Sequence, residues 1–378
     1  SVGAKALTVT GLSAVNREYK PGDMSVTLTG GTLSGVVSGE TVTLGALPTG
    51  SITSADAGTG KDVTFTALTL SGADAGNYTL TQPTGIKVNI TAKDISGATI
   101  NLGTQATYNG SEQDVVITSV DLGSTPLTNP TDYTITSGGT AIDVGNTELK
   151  ITGTGNYKGT ATKKWSLQKA TPVVGDFDLT PATPDPSGYN YNSGFGGLSK
   201  PTTTKTGMGS VTVKYDGSET VPTNAGSYTV TFDVAEGTNY NAKTDLSIGT
   251  LTINKVDYPG TKDFTEMVRS GQVTTNNTLT LPPLPAGASY GTPVVGGTTP
   301  ALISAQSVSS TTLTYSTTSQ ANNTSATITI PVTSATNYNN YSIVVTVTAK
   351  DKEDAGVSIT GAPASKTYGD ANFTLTAT

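Results

Sequence analysis

An Asn-Tyr pair recurs four times along the chain, each time between one apolar alternation and a second that ends in lysine. The pairs are Asn77-Tyr78, Asn156-Tyr157, Asn239-Tyr240 and Asn337-Tyr338, and the closing lysines are Lys93, Lys169, Lys255 and Lys350. From Asn to Lys the intervals are 16, 13, 16 and 13 residues, and successive pairs stand 79, 83 and 98 residues apart. A unit recurring at this interval is a domain, so the pattern predicts a tandem array. Its boundaries fall at 1–93, 94–169, 170–255 and 256–350, with 351–378 opening a further, truncated repeat.

The apolar residues alternate with period two. Ile86, Val88 and Ile90 face one way while Lys87, Asn89 and Thr91 face the other. Leu149 with Ile151, Val230 with Phe232, and Ile328 with Ile330 continue the pattern in the later units. Half-buried antiparallel strands produce it, with threonine on the wet face. Val63 and Phe65, then Leu68 and Leu70, change phase, which suggests a bulge. Turn signals such as Asn109-Gly110 and Asp216-Gly217 punctuate the strands. The fold class expected is all-β: tandem immunoglobulin-like β-sandwich domains in an elongated array.

Composition narrows the chemistry. There is no cysteine and no histidine among 378 residues, which excludes disulfides, thiolate metal sites and the commonest general base. A net charge of -7 with only two arginines, Arg17 and Arg269, argues against nucleic acid as a partner. No apolar run reaches the roughly 18 residues of a membrane helix. A signal and an anchor, for an exported protein, are expected outside this sequence.

In each pair the tyrosine ring is expected to cover the end of its sandwich, with the hydroxyl on a backbone carbonyl and the asparagine bonding its local turn. A sugar-contacting tyrosine is the alternative use of that position. A second candidate site is the glycine-rich loop carrying Tyr189, Tyr191 and Phe195, where aromatics could form a platform for a sugar ring or simply cover the sandwich. Asp176, Asp178 and Asp185 cluster in a proline-rich loop and read as solvated carboxylates. A calcium site or a catalytic acid pair is the sharper alternative. A lysine–asparagine isopeptide cross-link would suit a chain without cysteine, and it needs a buried Lys, Asn and acid brought together in space. No catalytic residue, metal site or cofactor is expected.

Unit one resembles the YDG repeat of bacterial surface proteins. The resemblance lies in Gly31-Thr32-Leu33-Ser34-Gly35, Gly58-Thr59-Gly60-Lys61 and Leu70-Ser71-Gly72-Ala73-Asp74-Ala75-Gly76-Asn77-Tyr78. It departs at the motif itself, where Tyr19 is followed by Lys20-Pro21-Gly22. Unit two, with Tyr108-Asn109-Gly110 and Gly155-Asn156-Tyr157, resembles immunoglobulin-like repeats of Gram-positive surface proteins. Unit three, with Asn224-Ala225-Gly226-Ser227-Tyr228, is similar to related bacterial repeats. The tail Tyr368-Gly369-Asp370 resembles the start of an MBG repeat. These resemblances imply an extracellular, monomeric stalk or spacer in an adhesin-like protein of the bacterial cell surface, presenting a distal module. The alternative they leave is a module within the array that binds glycans or host surface proteins.

Overall fold

The computed structural model describes residues 3–351, 359–360 and 376–377. The tail motif Tyr368-Gly369-Asp370 lies outside the described residues. Among the described residues the chain is all-β, and its helical elements are single turns of three residues, such as Ala75–Asn77 and Pro300–Leu302. No helix among the described residues is long and apolar enough to cross a membrane.

Among the described residues, hydrophobic clusters follow one another along the chain. The first gathers Leu12, Val26, Leu28, Ile52, Val63, Leu68, Val88 and Ile90. The second is built on Ile100, Val120, Leu149, Ile151, Trp165 and Leu167. Tyr215, Val230 and Leu251 anchor the third, and Ile328, Ile330, Ile343, Val345 and Val347 the fourth. Burying one such aliphatic side chain is worth about 1.5–3 kcal/mol.

The alternation read from the sequence is the burial pattern of the strands. Lys87–Thr91 runs exposed, buried, half-buried, buried, exposed, and Ser325–Thr333 alternates half-buried and buried over nine residues. In the second repeat Thr147–Gly153 is flanked by Tyr133–Ser137 and Thr160–Trp165, both antiparallel to it. In the fourth, Ile330 faces Ile343 and Ile328 faces Val345 across an antiparallel pair. The turn at Asp216-Gly217 takes positive φ at both positions, 47° and 81°, the backbone that a tight hairpin turn requires. The phase change expected between Phe65 and Leu68 is resolved differently. Val63 and Leu68 are buried in an irregular stretch, and the register shift falls between Val88 and Ile90 of the partner strand.

Pairing is not wholly antiparallel. Lys5–Thr10 runs parallel to Tyr78–Thr81, and Asp263–Arg269 parallel to Tyr341–Lys350. The first joins an opening strand to the one before Lys87–Thr91 and the second joins the first and last strands of its repeat, both far apart in sequence, so no local turn motif announces them.

Two compact units divide the chain. One comprises Ser1–Phe177, Thr203–Ser210 and Val234–Thr244, and the other Asp178–Thr202, Val211–Asp233 and Asp245–Thr378. The Asn-Tyr pairs at 77, 156 and 239 belong to the first unit and the pair at 337 to the second.

Candidate functional site

The Asn-Tyr pairs at 156, 239 and 337 each form a junction with an earlier segment of the chain, and the three junctions share one architecture. At the first, the Lys93 N–H donates to the Asn156 carbonyl at 2.9 Å and the Ile95 N–H to that of Lys158 at 2.8 Å. Lys93 then stands opposite Tyr157 in parallel register. At the second, Ala170 pairs with Tyr240, donating to the Asn239 carbonyl at 3.0 Å and accepting from the Asn241 N–H at 2.8 Å. At the third, Val256 pairs with Tyr338, donating to the Asn337 carbonyl at 3.2 Å and accepting from the Asn339 N–H at 2.9 Å. The residue that links two repeats is thus zipped onto the Asn-Tyr backbone of the second, which removes the free rotation an open linker would have.

The asparagine carboxamide reaches back into the earlier repeat. Asn156 Oδ1 accepts from the Ala57 N–H at 2.8 Å while its Nδ2 donates to Asp56 Oδ1 at 2.8 Å. Asn239 Oδ1 accepts from the Val144 N–H at 2.8 Å, and its Nδ2 donates to Asp143 Oδ1 at 2.8 Å and, within its own repeat, to the Thr206 carbonyl at 3.2 Å. Asn337 Oδ1 accepts from the Ala225 N–H at 2.7 Å, and its Nδ2 donates to Asn224 Oδ1 at 3.1 Å. Each carboxamide therefore reads the same two groups, a backbone N–H and the side-chain oxygen of the residue before it. The partners lie 99, 95 and 112 residues away in sequence, not in the local turn, because the carboxamide projects off its own sandwich.

The tyrosine of each pair also meets the earlier repeat. Tyr157 lies edge-on to Tyr19 with ring centroids 5.4 Å apart, Tyr240 to Tyr108 at 5.5 Å, and Tyr338 to Tyr191 at 5.6 Å. Edge-to-face pairs of this kind add about 0.5–1.5 kcal/mol beyond the area they bury. Burial, foremost, pushes the Tyr157 and Tyr240 phenols above their ordinary value. Two closing lysines add to the junction. Lys169 Nζ donates to the Gly237 carbonyl at 2.8 Å and pairs with Glu236, whose carboxyl it holds below the usual range. Lys255 Nζ donates to the Ala335 carbonyl at 2.7 Å.

Close approach at the second junction explains one glycine. Gly207 has φ of 75°, and a Cβ there would lie 2.5 Å from Thr238 Oγ1 and 2.6 Å from Asn239 Nδ2. Only a residue without a side chain lets the carboxamide sit where it does.

The junctions differ in one titratable group. Asp56 at the first is held below the ordinary carboxylate value, chiefly by the Ser54 hydroxyl and next by the Asn156 amide. A carboxyl depressed on folding contributes stability that is complete above its unfolded pKa and is lost as pH falls through the folded one. The third junction has Asn224 in the same place, and it does not titrate. Acidification from pH 7 to below about 4 is therefore expected to lower the exchange protection of the Ala57 amide relative to that of Ala225. Parallel loss at both amides would contradict the assignment.

The aromatic trio of the glycine-rich loop is divided between two tasks. Tyr189 and Phe195 stack obliquely at 4.4 Å and pack, half-buried, against the cluster of Tyr215, Val230 and Leu251. Tyr191 belongs to the third junction. A cavity of about 130 Å³ beside Phe195 is bounded by Asn192, Pro222 and Thr223. The three carboxylates each cap their own turn. Asp176 accepts from the Val173 N–H at 2.9 Å, Asp178 from that of Thr180 at 2.9 Å, and Asp185 from that of Ser187 at 2.8 Å. No cluster of three or more potential metal ligands occurs among the described residues.

Comparison with known proteins places two domains on this framework. The YDG domain model matches residues 3–85 and the MBG domain model residues 189–257. The chain thus carries a YDG domain, in its first repeat, and an MBG domain. The latter match falls on the third repeat, which its own residues liken to related bacterial repeats. No curated protein matches the sequence. Among solved structures, an endo-fucoidan hydrolase of glycoside hydrolase family 107 aligns at 15% identity and a TM-score of 0.19, covering 67% of this chain and 43% of that enzyme. The chain therefore spans less than half of that enzyme's length. A three-immunoglobulin-domain segment of titin aligns at 10% identity and TM-score 0.29, covering 67% of this chain and 98% of the segment. Drosophila N-cadherin EC1-4 aligns at 11% identity and TM-score 0.24, covering 84% and 94%. Likenesses at this level carry no weight for function.

Proposed function

We propose that this repeat-containing extracellular chain is a spacer in a bacterial cell-surface, adhesin-like protein, holding a distal module away from its attachment. The observation that carries the reading is the threefold recurrence of one junction. Each junction combines a pinned linker, a carboxamide bonded across the repeat boundary and an edge-on ring pair. Two carboxamide hydrogen bonds at about 0.5–1.5 kcal/mol each and a ring pair at a similar value give about 2–4 kcal/mol per junction. That is enough to favour the docked arrangement of neighbouring repeats by well over tenfold. A binding module needs one specialised surface. A spacer needs the same connection made again and again, and that is what the sequence spends its repeated motif on. Boundaries at Lys93, Lys169, Lys255 and Lys350 belong to this reading, as do monomeric behaviour and the absence of a catalytic step. The YDG match over residues 3–85 and the MBG match over residues 189–257 support reading the chain as an array of repeat modules.

Screening the chain on glycan arrays and against host surface proteins tests the proposal. A spacer gives no saturable binding. Saturable binding that maps to one repeat, above all to the loop of Tyr189, Tyr191 and Phe195, would make that repeat the functional module and overturn the reading.

A further inference from the structure

The first repeat carries the same pair, Asn77-Tyr78, and its opening strand meets that pair as the later linkers meet theirs. Lys5 stands opposite Tyr78 in parallel register, as Lys93 stands opposite Tyr157. Ala4-Lys5-Ala6-Leu7 therefore corresponds position by position to Ala92-Lys93-Asp94-Ile95. Leu7 and Ile95, at the end of that alignment, are both 0% exposed.

Among the described residues nothing fills the other half of the junction at this pole. Asn77 is exposed, and its side chain makes no hydrogen bond among the described residues. Among the described residues the Tyr78 ring has no aromatic neighbour. Its hydroxyl instead donates to Glu40 and accepts from the Val37 N–H at 3.1 Å. A hollow of about 550 Å³ opens between Lys5, Val37, Glu40, Asn77 and Tyr78. At the three complete junctions an earlier repeat supplies what is lacking here: a turn reading Asp56-Ala57-Gly58, Asp143-Val144-Gly145 or Asn224-Ala225-Gly226, and a ring from Tyr19, Tyr108 or Tyr191.

We infer that the Asn77-Tyr78 pole is an open copy of the junction, built to receive a β-sandwich repeat that presents an Asp/Asn–Ala/Val–Gly turn and a tyrosine. The inference rests on the junction reading above and extends it to a docking surface. The occupant is a repeat of the same class as the first, oriented toward this pole as the first repeat is toward the second. The complementarity is specific: the free carboxamide offers one acceptor and one donor, and the turn offers an N–H and a side-chain oxygen.

The test is a tandem chain in which a second copy of residues 3–91 precedes residues 4–378. This fusion keeps the register, because Thr91-Ala4-Lys5 replaces Thr91-Ala92-Lys93. Hydrogen exchange at the Ala57 amide of the added copy is the readout. Asn77→Ala in the tandem chain is expected to speed that exchange about tenfold or more, a hydrogen-bond loss on the order of 1.4 kcal/mol. The same substitution in the chain alone leaves the first repeat's stability unchanged. Equal exchange with and without Asn77 would overturn the inference. Asn156→Ala, read at the original Ala57 in the same molecule, separates the two claims. If it releases its amide while Asn77→Ala does not, the junction stands and the open pole falls. If neither acts, both fall.

Discussion

Asn239→Asp is expected to destabilise the second junction by roughly 3 kcal/mol or more at neutral pH, beyond the about 2–3 kcal/mol of Asn239→Ala. Asn239 is 1% exposed and bonds through both ends of its carboxamide. Alanine deletes three hydrogen bonds and leaves the Val144 N–H without its acceptor. Aspartate keeps the shape and the acceptor but turns the donor into an oxygen facing two others, Asp143 Oδ1 and the Thr206 carbonyl. A charge placed there is buried against acceptors, so its folded pKa is raised. The penalty is full at neutral pH and fades as the group protonates and becomes a donor again. Denaturation of the second repeat, followed by the exchange of the Val144 amide, should show aspartate worse than alanine at pH 7 and the gap closing on acidification. Adding Asp143→Asn should restore much of the loss, because an amide then faces the new carboxylate. An aspartate variant as stable as the parent would remove Asn239 from the junction.

Trp165→Ala is expected to cost the second repeat about 3–5 kcal/mol, the usual range for removing a buried aromatic. The indole is 4% exposed within the second cluster, and its Nε1–H donates to the Gly138 carbonyl at 2.7 Å. Trp165→Phe retains most of the packing but leaves that carbonyl unpaired, so a smaller loss of about 1–2 kcal/mol follows. Trp165 is the sole tryptophan, so its fluorescence reports on the second repeat in the parent chain. The variants are read instead by exchange at the Leu149 and Ile151 amides. A loss below about 1 kcal/mol for alanine would mean the ring fills no interior.

The strands and their buried faces were legible in the sequence, because side-chain direction alternates strictly along a strand. Val88 with Ile90, Leu149 with Ile151, and Ile328 with Ile330 could be assigned inward from period alone. The Asn-Tyr pair was legible as a repeated corner, but the direction of its bonds was not. A local turn explains an asparagine as economically as a partner 99 residues distant does, and nothing in a pattern of period two marks the longer reach. A signal was present nonetheless. Asp56-Ala57-Gly58, Asp143-Val144-Gly145 and Asn224-Ala225-Gly226 stand one in each of the first three repeats, at or just before a strand, although Asp74-Ala75-Gly76 repeats the triplet beside Asn77. They read as turn chemistry, and only their recurrence in step with the Asn-Tyr pairs points to contact. The loop aromatics were seen as one group because they are close in sequence. Tyr189, in the short strand Tyr189–Asn190, packs inward with Phe195, while Tyr191, just past the end of that strand, meets Tyr338 at the next junction, a split that period two does not announce.

Amide hydrogen exchange at Ala57, Val144 and Ala225, measured together in one chain, bears most directly on the junctions. Protection is expected at all three, with Asn156→Ala, Asn239→Ala and Asn337→Ala each releasing its own amide and leaving the other two in place. Exchange at the rate of open loop for all three amides in the parent chain, or indifference to the asparagines, would contradict the account.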